Sequence, residues 1–240
     1  MLLGFGVFGV TWSMFVLPDE WKRRGELEVA AQLVRGDTYR PRDIEGTFAW
    51  INVVKNVSDP ELARAKAMIF LYLAEFSATE LGGRKSEERK LTAERAVSDS
   101  LAQNPDDSFL WLNLYLLKNA SSGFAAEHAT LLQQSYATGP REGWIAISRN
   151  RRALAILPIL DATNQQLAVS EFVALVGAGL FEVAQASLMG AGWMHRERLL
   201  AALERLDLPA REMFARALWN NGINVEVPGV STPDQPWRRN

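Results

Sequence analysis

Hydrophobic positions along this chain follow three patterns. The first is an uncharged run, LLGFGVFGVTWSMFVL over residues 2–17, which stops at Pro18, Asp19 and Glu20. Its length falls just short of the roughly 17–25 residues of a helical membrane span. Trp12 lies inside the run and Trp21 just beyond it, where interfacial aromatics are expected. A membrane anchor over residues 1–18 is therefore expected. A cleaved signal peptide and a buried N-terminal helix are the competing readings; no basic stretch precedes the run and no small-x-small cleavage pattern comes after it. Gly4, Gly6 and Gly9 form a GxGxxG, but the residues after them read as helix rather than a βαβ unit, so a dinucleotide site is not expected.

The second pattern is helical. Residues 19–36 read as a connecting amphipathic helix ended by Gly36, then comes a loop to Arg42, and Ile44, Phe48 and Ile51 recur at helical spacing. Asp59-Pro60-Glu61 offers a capping oxygen, a proline where no amide is needed and an acid in the first turn. A helix from Pro60 to Leu81 is predicted, closed by Gly82-Gly83, and another over Ser86–Gln103. Two hairpins come next: Asp107–Lys118 with Phe124–Tyr136, and Arg141–Leu157 with Gln165–Val176. Shorter helices are predicted over Leu180–Met189, Met194–Leu206 and Pro209–Asn220. The third pattern is a weak period-two alternation over Ile223–Val227, before a polar tail from Val230. Domain organisation is thus an anchor (1–18), a connecting helix (19–36), a helical domain (37–222) and a C-terminal tail (223–240).

Ser100, Leu101, Ala102 and Pro105 recur 35 residues later as Ser135, Tyr136, Ala137 and Pro140, and each block is succeeded by a tryptophan, Trp111 or Trp144. That offset is one step of a helical-hairpin repeat, close to the 34-residue tetratricopeptide period. Alanines 96, 102, 129 and 137 suit close helix crossings, and Trp111, Leu114 and Trp144 are expected to supply bulk between neighbouring helices. The hairpins therefore resemble tetratricopeptide-like repeats, in degenerate form, because the glycine–tyrosine pair of the first repeat helix is missing. That resemblance implies an all-α, α-solenoid-like array. The stretch from Asn104 to Leu154 also resembles uncharacterised alphaproteobacterial single-anchor proteins associated with envelope polysaccharide gene clusters. This likeness implies an envelope role and brings no assigned activity.

Composition narrows the chemistry. The hydrophobic set makes up 48% of the 240 residues, too much for disorder. Net charge is −2, so no overall field attracts nucleic acid, and none is expected as a partner. With no cysteine, disulfides and thiolate chemistry are excluded. The two histidines, His128 and His195, have no acidic partner at ligand spacing, and both are read as structural, so no metal or cofactor site is expected. Glu87-Glu88 and Asp106-Asp107 sit at helix starts, where acids favour the positive end of the macrodipole. A paired-carboxylate glycosidase is only a remote reading.

Two candidate binding features remain. Arg141, Arg149, Asn150 and Arg152 form the densest polar block; on a helix Arg149 and Arg152 share a face while Arg151 points away. Arginine forks suit phosphates and carboxylates, although charge runs are usually solvated helix faces. Trp144 and Trp193 are candidate partner-contact aromatics, and with Trp50 and Trp111 they also fit a sugar groove, although core packing is the simpler use. The expected function is a non-catalytic, membrane-anchored repeat domain that binds another envelope or membrane protein as adaptor or assembly factor. Binding of an anionic glycan or lipid-linked sugar is the alternative. Lys22, Arg23 and Arg24 after the run point the domain to the cytoplasm, whereas the envelope resemblance points to the periplasm, which is the expected side of a single-pass inner-membrane protein.

Overall fold

The computed structural model describes residues 59–80, 83–140 and 142–231. The expected anchor over Leu2–Leu17 and the connecting helix lie outside the described residues, as does the tail beyond Ser231. Among the described residues the chain is all-α, with nine α-helices, four short 3-10 turns and no strand. No helix among them is long and apolar enough to cross a membrane. The chain divides into two compact units after Phe124, a division that falls inside the predicted helical domain.

The described part of the first unit holds α1 (Pro60–Glu80), α2 (Gly83–Gln103) and α3 (Ser108–Ser122). The predicted start signal acts as a cap: Asp59 Oδ1 accepts from the Glu61 and Leu62 amides at 3.0 and 3.4 Å. Helix α2 begins three residues earlier than expected, at Gly83, whose φ of +64° lies in the region that favours glycine. Helix α2 packs against both α1 and α3. The residues these helices bury include Ala65, Ala67, Ala93 and Ala96 together with Ile69, Val97, Leu110 and Leu114. Asp107 serves twice: Oδ1 caps α3 through the Leu110 amide at 3.0 Å, and Oδ2 meets Arg64 Nε of α1 at 2.6 Å. Lys118 and Glu94 link α3 to α2 at 2.6 Å.

The second unit holds α4 (Ala129–Thr138), α5 (Gly143–Ala155), α6 (Ala162–Gly177), α7 (Phe181–Met189), α8 (Arg196–Ala202) and α9 (Leu208–Asn220). Helix α6 is its hub, packing against all five of the others. Its sequence explains this: Ala168, Val169, Phe172, Val173, Leu175 and Val176 are buried as one broad apolar stripe, with Gln166 and Ala174 exposed on the other side. The Phe214 ring of α9 fills the space between Phe172, edge-on at 6.1 Å, and Phe181 at 6.0 Å. Asp161 and Asp207 cap α6 and α9 through the Asn164 and Ala210 amides.

Two predicted helices are subdivided. Phe124–Tyr136 opens with a 3-10 turn, Ala126–His128, that follows the extended Ala125, and neither Ala125 nor His128, the residue before α4, makes a side-chain cap bond. Met194–Leu206 becomes a seven-residue α8 between 3-10 turns at Trp193–His195 and Leu203–Arg205. The last of these tightens the chain before Leu206 and Asp207, both extended, lead into the next capped helix.

Candidate functional site

Helix α5 carries most of the predicted site residues, and the structure separates them. Ile145, Ala146, Arg149, Asn150, Ala153 and Leu154 form its buried face, while Trp144, Ile147 and Arg151 lie on the exposed side. Arg149 is fully buried rather than solvated. Its Nη2 lies 2.7 Å and its Nε 3.0 Å from Glu171 Oε1 on α6. Nη1 donates to Ser135 O at 2.7 Å and Ser135 Oγ at 3.2 Å, and Nη2 also donates to Gly139 O at 3.0 Å. The guanidinium sits 4.0 Å over the Tyr136 ring, and the Tyr136 hydroxyl donates to Glu171 Oε2 at 2.7 Å. Arg149 thus closes the carbonyl end of α4 and neutralises a buried carboxylate. Burial first, then the charge of Glu171, pushes the Tyr136 phenol well above its ordinary pKa.

Arg149 was expected in a candidate anion site; here its guanidinium is paired with Glu171, which an external anion would have to displace. Asn150 is also buried; its Nδ2 donates to Ala168 O at 2.8 Å, and its Oδ1 finds no hydrogen-bond partner among the described residues. Arg152 is half-buried and bonds back to Ser148 O at 2.7 Å, and Arg151 is exposed, as its helical position predicts. Arg141 lies outside the described residues.

The 35-residue offset carries a signal that charge alone obscures. It maps the first residue of α3, Ser108, onto the first of α5, Gly143, and so places Arg149 on Leu114 and Asn150 on Tyr115. Leu114 and Tyr115 are core residues, and so are their polar counterparts.

The two candidate aromatics differ from an interlocking core. Trp144 is 53% exposed, and Ile147 beside it on α5 is 46% exposed. Trp193 is 36% exposed, with the Arg196 guanidinium 5.0 Å over its ring. His128 is buried and His195 half-buried, and no group of three acidic or histidine side chains among the described residues could hold a metal.

A further feature had only the weak Ile223–Val227 alternation to announce it. After α9 the chain turns back along the helix. Ile223 N bonds to Leu218 O at the helix end, and Pro228 O is held by Arg211 Nη1 near its start. Exposure alternates with period two: Ile223 and Val225 are half-buried and Val227 buried, with Asn224 and Glu226 exposed between them. Two clefts adjoin this segment. One, of about 690 Å³, is lined by Leu208, Ala215 and Trp219 of α9 together with Ile223, Val225 and Val230. The other, of about 730 Å³, is bounded by Glu197, Glu204 and Glu226, with Arg196 and Leu200.

No family model, curated protein or solved structure matches the chain.

Proposed function

We propose that this protein is a non-catalytic adaptor: an array of tetratricopeptide-like hairpins, held at the inner membrane through Leu2–Leu17, that docks another envelope or membrane protein. The observation that carries this reading is the outward row on α5. Trp144 and Ile147 lie about one turn apart with half their surface in water, and Arg151 continues the row one turn further. Large exposed apolar side chains beside an arginine have the composition of an interface centre. The opposite face of α5 is fixed in the core by Arg149 and Asn150, so the row is presented on a rigid element. A role in polysaccharide assembly or export comes from the envelope resemblance and is part of the proposal. The anionic-glycan alternative loses its central cation, because Arg149 is committed to Glu171.

The test is a photo-crosslinking amino acid at position 147 of the full chain in cells. A protein-sized adduct, lost on Trp144→Ala while the melting temperature is kept, is expected. Adducts of only lipid or glycan mass would overturn the adaptor reading.

A further inference from the structure

We propose that residues 223–227 form a docking edge for an extended, basic segment of a partner protein. The proposal rests on the adaptor reading and gives the partner segment its conformation and charge.

The first ground is backbone chemistry. Among the described residues, the amides and carbonyls of Asn224, Val225 and Glu226 make no hydrogen bond, although the segment is pinned at both ends. A fixed stretch with period-two side chains and open backbone groups is a template for one more strand. The Gly229 anchor allows little slack. Its φ is +72°, and a Cβ there would stand 2.7 Å from the Arg211 guanidinium that holds Pro228.

Side-chain chemistry then selects the occupant. The cleft beside Trp219 and Val225 takes the apolar side chains of an incoming strand. The charged residues lining the two clefts are Glu197, Glu204, Glu212 and Glu226 against Arg196 and Arg216. Arg196 is engaged with the Trp193 ring and carbonyl and lies 4.0 Å from Glu197, which leaves Glu204, Glu212 and Glu226 against Arg216. The excess of glutamates disfavours a second copy of this chain, which would bring the same acids to the same edge. It favours a strand that alternates aliphatic with lysine or arginine residues.

The probe is a fluorescent seven-residue peptide, Lys-Val-Lys-Val-Lys-Val-Lys with blocked ends, titrated into the full chain and read by anisotropy. Saturable binding is expected, weakened at least tenfold by Glu204→Lys with Glu226→Lys and by raised salt. N-methylation of alternate peptide amides should weaken it similarly, because that removes the strand's hydrogen bonds while keeping its charge. Val225→Pro in the protein should do the same, and the N-methylated peptide keeps the test valid if that variant fails to fold. Equal binding of the methylated peptide, or no saturable binding, overturns the proposal. So does binding that appears only after Arg238→Glu with Arg239→Glu, which would show the chain's own C-terminal residues to be the occupant. A concentration-dependent dimer abolished by Val225→Pro, without peptide binding, would assign the edge to self-association and also overturn it. If the peptide fails while the crosslink at position 147 persists, this edge is refuted and the adaptor reading stands.

Discussion

Arg149 and Glu171 meet at 2.7 Å with 0% and 4% of their side chains exposed, which makes them a fully desolvated ion pair joining α5 to α6. Such a pair gains little net stability over a well-packed apolar pair, but breaking it leaves an uncompensated buried charge. Arg149→Met should therefore cost about 3–5 kcal/mol. The double variant Arg149→Met with Glu171→Leu should be less damaged than Arg149→Met alone, because no buried charge is left unpaired, although Gly139 O loses its Arg149 donor and the Tyr136 hydroxyl its Glu171 acceptor. Urea unfolding of the parent, Arg149→Met, Glu171→Leu and the double variant checks this. Additive losses would mean that the pair is not energetically coupled.

Tyr136 belongs to the same network and reports on it optically. Its hydroxyl donates to Glu171, and Tyr136→Phe should cost about 1.5–3 kcal/mol, the range for a hydrogen bond to a charged group. The raised phenol pKa also fixes the sign of an alkaline effect. The folded chain keeps this proton when the unfolded chain, with a pKa of about 10, releases it. The contribution is fully present below that value and is lost as pH rises through the folded one. Absorbance at 295 nm should show Tyr136 ionising only at or after alkaline unfolding. Its titration in the native protein near the ordinary value would contradict the buried network.

Trp111 and Trp144 are not equivalent wedges. They are 33 residues apart, not 35, and a two-residue slip turns a side chain about 200° around a helix. Trp111 is half-buried, with its indole N–H donating to Pro105 O at 2.7 Å, whereas Trp144 faces solvent. Trp111→Ala should destabilise by about 2 kcal/mol through lost burial and the lost hydrogen bond. Trp144→Ala should change stability by no more than about 0.5 kcal/mol. Thermal melts of both variants decide the point: equal losses would restore the wedge reading.

Much of the helix layout was legible because the signals are local. Asp59, Asp107 and Gly82-Gly83 marked boundaries that hold to within a few residues. The candidate site was less legible because its determinants are not local. Arg149 reads as surface from charge and helical position alone, and only Glu171, 22 residues later, makes its burial tolerable. The signal in the sequence is Glu171 itself, an acid set between Ala168-Val169 and the apolar stretch Phe172–Val176. The edge after α9 was fainter still. Its alternation covers five residues, and its open backbone is visible only once Leu218 and Arg211 are seen to pin its ends.

The cap of α6 gives an acid-side prediction with its own sign. Asp161 Oδ1 accepts from the Asn164 amide at 2.9 Å and Oδ2 from Asn164 Nδ2 at 2.7 Å. These donors, the backbone amide first, favour the charged form and lower the Asp161 pKa below its ordinary value. Folding therefore favours release of this proton. The stabilisation is present above the unfolded pKa, about 4, and is lost as pH falls through the folded value. Asp161→Ala should be less stable than the parent at pH 7, and the gap should narrow as pH drops below about 4. Asp161→Asn keeps an acceptor oxygen without the charge, so its stability should lie between the two at neutral pH, and its own cap should not titrate. Because α6 packs against every other helix of its unit, fraying of its first turn should be felt in the whole unfolding transition and not only at the helix end. Urea midpoints at pH 7 and pH 3 test the argument. A gap between parent and Asp161→Ala that stays constant or widens in acid would show that the carboxylate is not what caps this helix.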